Sequence, residues 1–285
     1  MPRAAPVRGV ATGIGGYPQR DSAVVMRREP NRSRARVRGR WVVLGGVLAL
    51  ALAACGSSAP GPPPANLGIV QDRPIPSSLT HLAFTDQHGR SVQLASFRGK
   101  TVLVVPFLTL CTDICPLDTG NLLQVERSLV ADGSAPKVQL VELSVDPTRD
   151  TPARLAAYAK LTGADWELLT ETPAQATQVE DFFGWVVQRV PEDSPPAVDW
   201  WTGKPLTYDI NHSDGFVVIG TTGAERFSTG AAPDFHGVLN PTLHKFLDAE
   251  GRDHLAHPET PGWSPTTALE TLAWQLHRPL ALVGS

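Results

Sequence analysis

The stretch from Thr101 to Phe107 reads T-V-L-V-V-P-F, an apolar run with no polar alternation. A strand of that kind sits stably only at the centre of a sheet covered on both faces, so helices must lie on either side of it. The run leads straight into Phe107 to Pro116, F-L-T-L-C-T-D-I-C-P, which sets Cys111 and Cys115 four positions apart. A helical pattern follows, with Leu122, Val125 and Leu129 on one face. Strand, paired thiols and helix in direct succession place the sulfurs where a helix begins. There the backbone N–H groups favour an anion and lower a thiol pKa.

The rest of the chain alternates in the same way. Leu82 to Leu94 reads as a hairpin with Gly89 in its turn, and Val138 to Asp146 as a second central strand. A Pro-started helix from Ala153 to Leu161 precedes a short strand at Trp166 to Leu169. A further helix is expected from Pro173 to Val187, then a strand at Phe216 to Ile219, a turn into Glu225-Arg226-Phe227, and a closing helix from Ser264 to Leu276. The expected fold class is α/β: a central mixed β-sheet flanked by helices, with an N-terminal hairpin. Residues 191–205 and 231–262 do not fit this order and read as insertions.

Charge divides the 285 residues unevenly. Residues 1–54 carry ten Lys/Arg against two Asp/Glu, and the remainder fifteen against twenty-six. The acidic body argues against nucleic-acid binding. The basic part ends in a 14-residue apolar stretch, Trp41 to Ala54, short of the roughly 20 residues of a membrane span. Leu52-Ala53-Ala54-Cys55 resembles a bacterial lipoprotein box, which implies cleavage before Cys55 and acylation of its thiol. Residues 1–54 are thus expected to be a lipoprotein-type signal segment, with Met26 as an alternative start and an uncleaved anchor as the bland alternative. Residues 55–78, rich in Pro, Gly and Ser, are expected to be a tether on the extracytoplasmic face of the cell membrane, and 79–285 the folded domain.

With Cys55 lipidated, only Cys111 and Cys115 remain. Export permits a disulfide, yet a pair this close in sequence closes too small a loop to add much stability. On their own the two thiols fit redox exchange and metal binding equally well. Two thiolates leave a soft metal under-coordinated. His212, in Tyr208 to Ser213 (Y-D-I-N-H-S), is the candidate third ligand, because it precedes the strand at Phe216.

Three segments together resemble the Sco (SenC) family of thioredoxin-like copper proteins: Phe107 to Pro116, Ser144 to Pro152 (S-V-D-P-T-R-D-T-P) and Tyr208 to Ser213. The likeness runs from about Leu82 to Gly230 and resumes at Pro261. It implies a thioredoxin-like fold and one copper held by Cys111, Cys115 and His212. It also implies a role in assembling the copper centre of cytochrome c oxidase, as metallochaperone, thiol–disulfide reductase, or both. The implied partner is the oxidase copper subunit or another periplasmic copper or thiol protein. A metal-free thiol–disulfide oxidoreductase and a periplasmic copper sensor or store are the rival readings.

Thr112 stands where the family usually has proline, Leu110 where a polar residue is common, and Asn211 where aspartate precedes the histidine. Asp113 either tunes the thiols or offers copper(II) an oxygen, or simply caps the helix, the reading preferred here. Asp146 either supports the site or caps its own turn. Trp200-Trp201 reads as a lid packed on the domain. His236, His244, His254 and His257 of the late insertion follow no ligand spacing and are expected to be exposed loop residues.

Overall fold

The structure, a computed structural model, describes residues 60–63 and 65–283. The expected signal segment, Met26, Cys55 and the start of the tether lie outside the described residues. In chain order the strands are β1 (Ile69–Pro74), β2 (Phe84–Asp86), β3 (Ser91–Val92), β4 (Thr101–Phe107), β5 (Val138–Ser144), β6 (Glu167–Thr170), β7 (Val187–Val190), β8 (Asp209–His212), β9 (Phe216–Ile219) and β10 (Ala224–Thr229). The helices are α1 (Ser77–Thr80), α2 (Cys115–Asp132), α3 (Pro152–Thr162), α4 (Pro173–Phe183), α5 (Pro241–Phe246), α6 (Ala249–Ala256) and α7 (Pro265–Leu276). Among the described residues no helix is long and apolar enough to cross a membrane.

Eight strands form one sheet in the order β1-β10-β9-β4-β5-β6-β2-β3. β4 is buried at all seven positions, and it pairs parallel to β5 and antiparallel to β9. Its side chains alternate between two cores, as the two-residue period of a strand requires. Leu103, Val105 and Phe107 join Leu122 and Val125 of α2 and Leu269 and Leu272 of α7. Val102 and Val104 join Phe84 and Val179 on the other face. Helix α2 connects the parallel pair β4 and β5, and β9, β10 and α7 complete the chain's return. This is the expected thioredoxin-like α/β fold, with β2 and β3 as the expected hairpin at one edge.

Two local expectations give way. Ile69–Pro74, inside the stretch read as tether, is an edge strand antiparallel to β10. Ile69-Val70 is a β-branched pair suited to a strand, and Gln71 and Arg73 bond the buried Glu225 carboxylate. The helix expected to reach Val187 stops at Phe183, because Gly184 takes the left-handed conformation that caps it. β7 then begins at Val187, the last residue of the expected helix, and pairs with β8 in a separate two-stranded sheet. Residues 191–205 therefore lie within the connection of a long hairpin. It is pinned by the buried Arg154–Asp199 pair at 2.7–2.8 Å and by Trp200, whose Nε1 donates to the Thr109 carbonyl at 2.7 Å. The lid reading of Trp200 fits this placement.

Residues 231–262, the second stretch read as an insertion, pack on the domain. Phe235, Leu239, Leu243 and Leu247 are buried in the core that holds α2. A Cβ at Gly120 of α2 would come within 2.7 Å of Leu239 and 2.9 Å of Phe235, so glycine there lets the segment pack directly on the helix. Gln124 and Asn121 donate to the carbonyls of His236 and Trp263 at 3.0 and 3.1 Å.

Candidate metal centre

Cys115 is the first residue of α2 and is fully buried, while Cys111 lies in the loop before it, partly exposed. The Cys115 amide, at the helix start, donates to the Cys111 sulfur at 3.4 Å. His212 ends β8, opposite Val187. Ser213, next to it, ties the hairpin together: its N–H donates to the Val186 carbonyl and its hydroxyl accepts from the Val186 N–H. The His212 Nε2 then lies 3.3 Å from the Cys115 Sγ, and the two sulfurs and the nitrogen all fall within 4.8 Å of one another. On the other side of the ring, Nδ1–H donates to the Ser213 carbonyl at 2.9 Å. In the neutral ring that bond fixes the tautomer and leaves the Nε2 lone pair facing the sulfurs.

The two thiols are unequal. A hydrogen bond from Cys115, assisted by His212, outweighs burial and holds Cys111 well below the ordinary thiol range. Burial, reinforced by the Cys111 anion, pushes Cys115 well above it. Burial pulls His212 down, but its contact with the Cys111 thiolate wins and raises it overall. Cys111, the partly exposed sulfur, is therefore the one that gives up its proton more readily, and buried Cys115 the one that holds it. A soft metal ion that displaces the Cys115 proton would meet two sulfurs and one nitrogen, a set that suits copper.

The turn Ser144 to Pro152 joins the two ligand-bearing segments. Asp150, fully buried, accepts from the Thr109 N–H at 3.2 Å, from the Thr109 hydroxyl and from the Ser144 hydroxyl at 2.7 Å. Burial still pushes its carboxyl up to about 6. Asp146, four residues earlier, accepts from the Tyr208 hydroxyl at 3.1 Å and from Arg149. Arg149 donates on to the Tyr208 carbonyl at 2.7 Å and stacks 3.8 Å over its ring, with Arg189 at 3.6 Å over the same ring. Asp146 thus grips the strand that carries His212, and Asp150 grips the loop that carries Cys111.

Asp113 points elsewhere than the helix cap expected of it. Its Oδ1 lies 2.5 Å from His254 Nδ1. Burial raises the Asp113 carboxyl despite that bond, and the bond to Asp113 raises His254. The expectation of an exposed loop histidine fails for His254 because α6 folds over the cysteine loop. His236 and His257 are exposed and pair with Asp234 and Asp253. The Thr112 hydroxyl donates to Asp248 at 2.7 Å, and the Asp248 N–H donates to the Thr112 carbonyl at 2.9 Å. Gly251 follows from this contact, since a Cβ there would lie 2.5 Å from the Thr112 oxygen. The departure at Thr112 therefore coincides with the insertion that packs on it. Asn211, a further departure, is exposed at the rim.

The centre opens into a cavity of about 300 Å³. Seven carboxylates line it, from Asp113, Asp193, Asp209, Asp214, Asp248, Glu250 and Glu259, and no lysine or arginine does so among the described residues. Burial pushes Asp214 up to about 6, against the pull of His212. Two acids beneath the centre escape a reading of motifs. Asp118 accepts from Trp263 Nε1 at 3.0 Å and is pushed well up by burial. Glu142 accepts from Thr119 at 2.7 Å and from Trp166 at 3.0 Å, and burial pushes it up to about 7. A carboxylate inside the apolar run of β5 was the available signal for Glu142.

Fold and site together define a thioredoxin-like protein with a two-cysteine, one-histidine centre. Residues 76–231 match the SCO1/SenC family, more than half of the sequence, and the chain belongs to that family. The mitochondrial SCO2 homolog of Bos taurus is 44% identical over 75 residues, 26% of this chain and 28% of that protein. The SCO1 protein homolog of Bacillus subtilis is 25% identical over 199 residues, 68% of this chain and 86% of that one. The structure of Bradyrhizobium japonicum ScoI with copper bound is similar at 26% identity and a TM-score of 0.44, covering 60% of this chain and 93% of that one. The chain spans little more than a quarter of the length of the mammalian relatives it matches. All of α5 and α6 lies beyond the matched residues.

Proposed function

We propose that this protein binds copper as cargo through Cys111, Cys115 and His212 and serves assembly of the cytochrome c oxidase copper centre. It would act from the extracytoplasmic face of the cell membrane, anchored through acylated Cys55. The observation that carries the reading is the convergence of two sulfurs and a lone-pair nitrogen within 4.8 Å. Membership of the SCO1/SenC family supports it. Thiolates bind copper(I) tightly, and the open cavity gives an incoming thiolate of the oxidase subunit, or of another periplasmic thiol protein, access to the metal. Asp146 and Asp150 act by positioning the ligand-bearing segments, and Asp113 stands outside the ligand set.

The unequal thiols favour a second use of the same pair, reduction of a partner disulfide. The Cys111 thiolate attacks one partner sulfur, and the other leaves as a thiolate. Cys115 then loses its proton to that leaving thiolate and attacks Cys111, releasing the second partner sulfur. Two electrons pass to the partner, and Cys111–Cys115 ends as a disulfide.

The deciding measurement is copper(I) binding by the reduced protein. One equivalent is expected, lost in Cys111→Ser and in Cys115→Ser and weakened in His212→Ala. Absence of binding, or binding unaltered in all three variants, overturns the copper reading. Disulfide reductase activity that survives His212→Ala and needs both cysteines supports the second use.

A further inference from the structure

We propose that Asp113, Glu250 and His254 form a second metal site, for a divalent first-row cation, in the wall of the cavity that faces the thiols. The three side chains offer two carboxylate oxygens and one imidazole nitrogen, and these ligand atoms all lie within 4.8 Å of one another. Glu250 and His254 are four residues apart on α6, so they share a face of that helix. Asp113 reaches the same point from between the two cysteines.

The meeting is built into the backbone. The Thr112 carbonyl accepts from Asp248 at the start of α6, and Gly251 lets the helix approach within the reach of a single Cβ. The donors differ in kind from those of the thiol centre. Carboxylate and imidazole suit borderline divalent ions, and the order of affinities across the first row puts copper(II) at the top and zinc close behind. The surroundings agree, since seven carboxylates line the cavity without a lysine or arginine among the described residues. A bound cation would neutralise part of that charge.

The plain alternative is an ion pair between His254 and Asp113, at 2.5 Å. An ion pair does not need Glu250, which is exposed and makes no side-chain hydrogen bond among the described residues. Glu250 therefore separates the two readings.

The inference does not depend on the copper chemistry of the thiols, and its test removes them. The full chain carrying Cys111→Ser and Cys115→Ser is titrated with cobalt(II). One equivalent is expected to bind with weak visible bands and without the intense near-ultraviolet sulfur-to-cobalt charge transfer. Adding Glu250→Gln, or separately His254→Ala, is expected to weaken binding by at least about tenfold, the loss that changes around a metal's ligands alone produce. No cobalt binding, or binding unchanged by Glu250→Gln, overturns the site. Glu250→Gln leaves the packing of α6 untouched, so its result stands even if His254→Ala disturbs the helix.

Discussion

The two walls of the cavity are made differently. The wall with Cys111, Cys115 and His212 is soft in its donors and is held from below. Asp150 takes three hydrogen bonds in the core, and Asp146 and Arg149 clamp Tyr208 beneath the histidine strand. The wall with Asp113, Glu250 and His254 is hard in its donors and is held from the side, by Thr112 and Asp248 at the surface. Buried supports are costly to remove because each partner left behind is desolvated. Surface supports exchange with water and cost little. Changes under the thiol wall should therefore cost several times more than changes under the α6 wall.

The largest effect is expected at Asp150. Asp150→Ala leaves the Thr109 N–H, the Thr109 hydroxyl and the Ser144 hydroxyl without their acceptor in a buried place. Destabilisation of about 4 kcal/mol is expected, with weaker copper(I) retention because the Cys111 loop loses its tie. Urea unfolding measures the first and competition with a copper(I) chelator the second. A cost below about 1 kcal/mol would show that the thiol wall is not held from below.

Glu142 tests the same wall through pH. Its folded-state carboxyl is raised to about 7 from an ordinary 4.5 by burial. A raised acid favours folding while both states are protonated, and that contribution is lost as pH climbs from the unfolded value through the folded one. Stability should fall by about 3 kcal/mol between about pH 4.5 and about pH 7.5 on account of this group. Glu142→Gln, neutral throughout, is expected to be less stable at low pH and to show a shallower decline. Parallel stability–pH curves for the two proteins would remove Glu142 from the support of α2.

How far the sequence discloses each wall follows from the same difference. The soft wall is local only in its thiols, which follow an unbroken apolar strand; His212 lies 97 residues after Cys115 and was legible through the strand it precedes and the family resemblance. Even there the motif turn 144–152 showed its residues but not its task, because the bonds of Asp146 and Asp150 run 62 and 41 residues along the chain. Strand β1 was hidden in a stretch read as tether, and β7 in the residues just after an expected helix, since short strands show too few residues for a period. The hard wall is wholly tertiary. Histidine spacing alone said nothing about His254. Its partner Glu250 stood four positions away, but Asp113 lies 141 residues earlier. The prolines and glycines of 231–262 disguised a segment whose Phe235, Leu239, Leu243 and Leu247 are core residues.

The smallest effect, and the sharpest test of the contrast, is expected from Thr112→Pro, which restores the residue usual in the resembling motif. The change removes the hydroxyl that donates to Asp248 and keeps the carbonyl that accepts from the Asp248 N–H. The bond lies at the surface, so a cost of about 1 kcal/mol is expected, with the thiol centre and its copper(I) affinity unaltered. The consequence should show at His254 instead. Its ring is raised by the bond to Asp113, and a loosened α6 would let it titrate nearer an ordinary histidine, an effect visible in an NMR titration of the imidazole protons. Thr112→Ser keeps the hydroxyl and should keep the raised value. If Thr112→Pro shifts copper(I) affinity while leaving His254 unchanged, the two walls are one mechanical unit and the contrast between them fails.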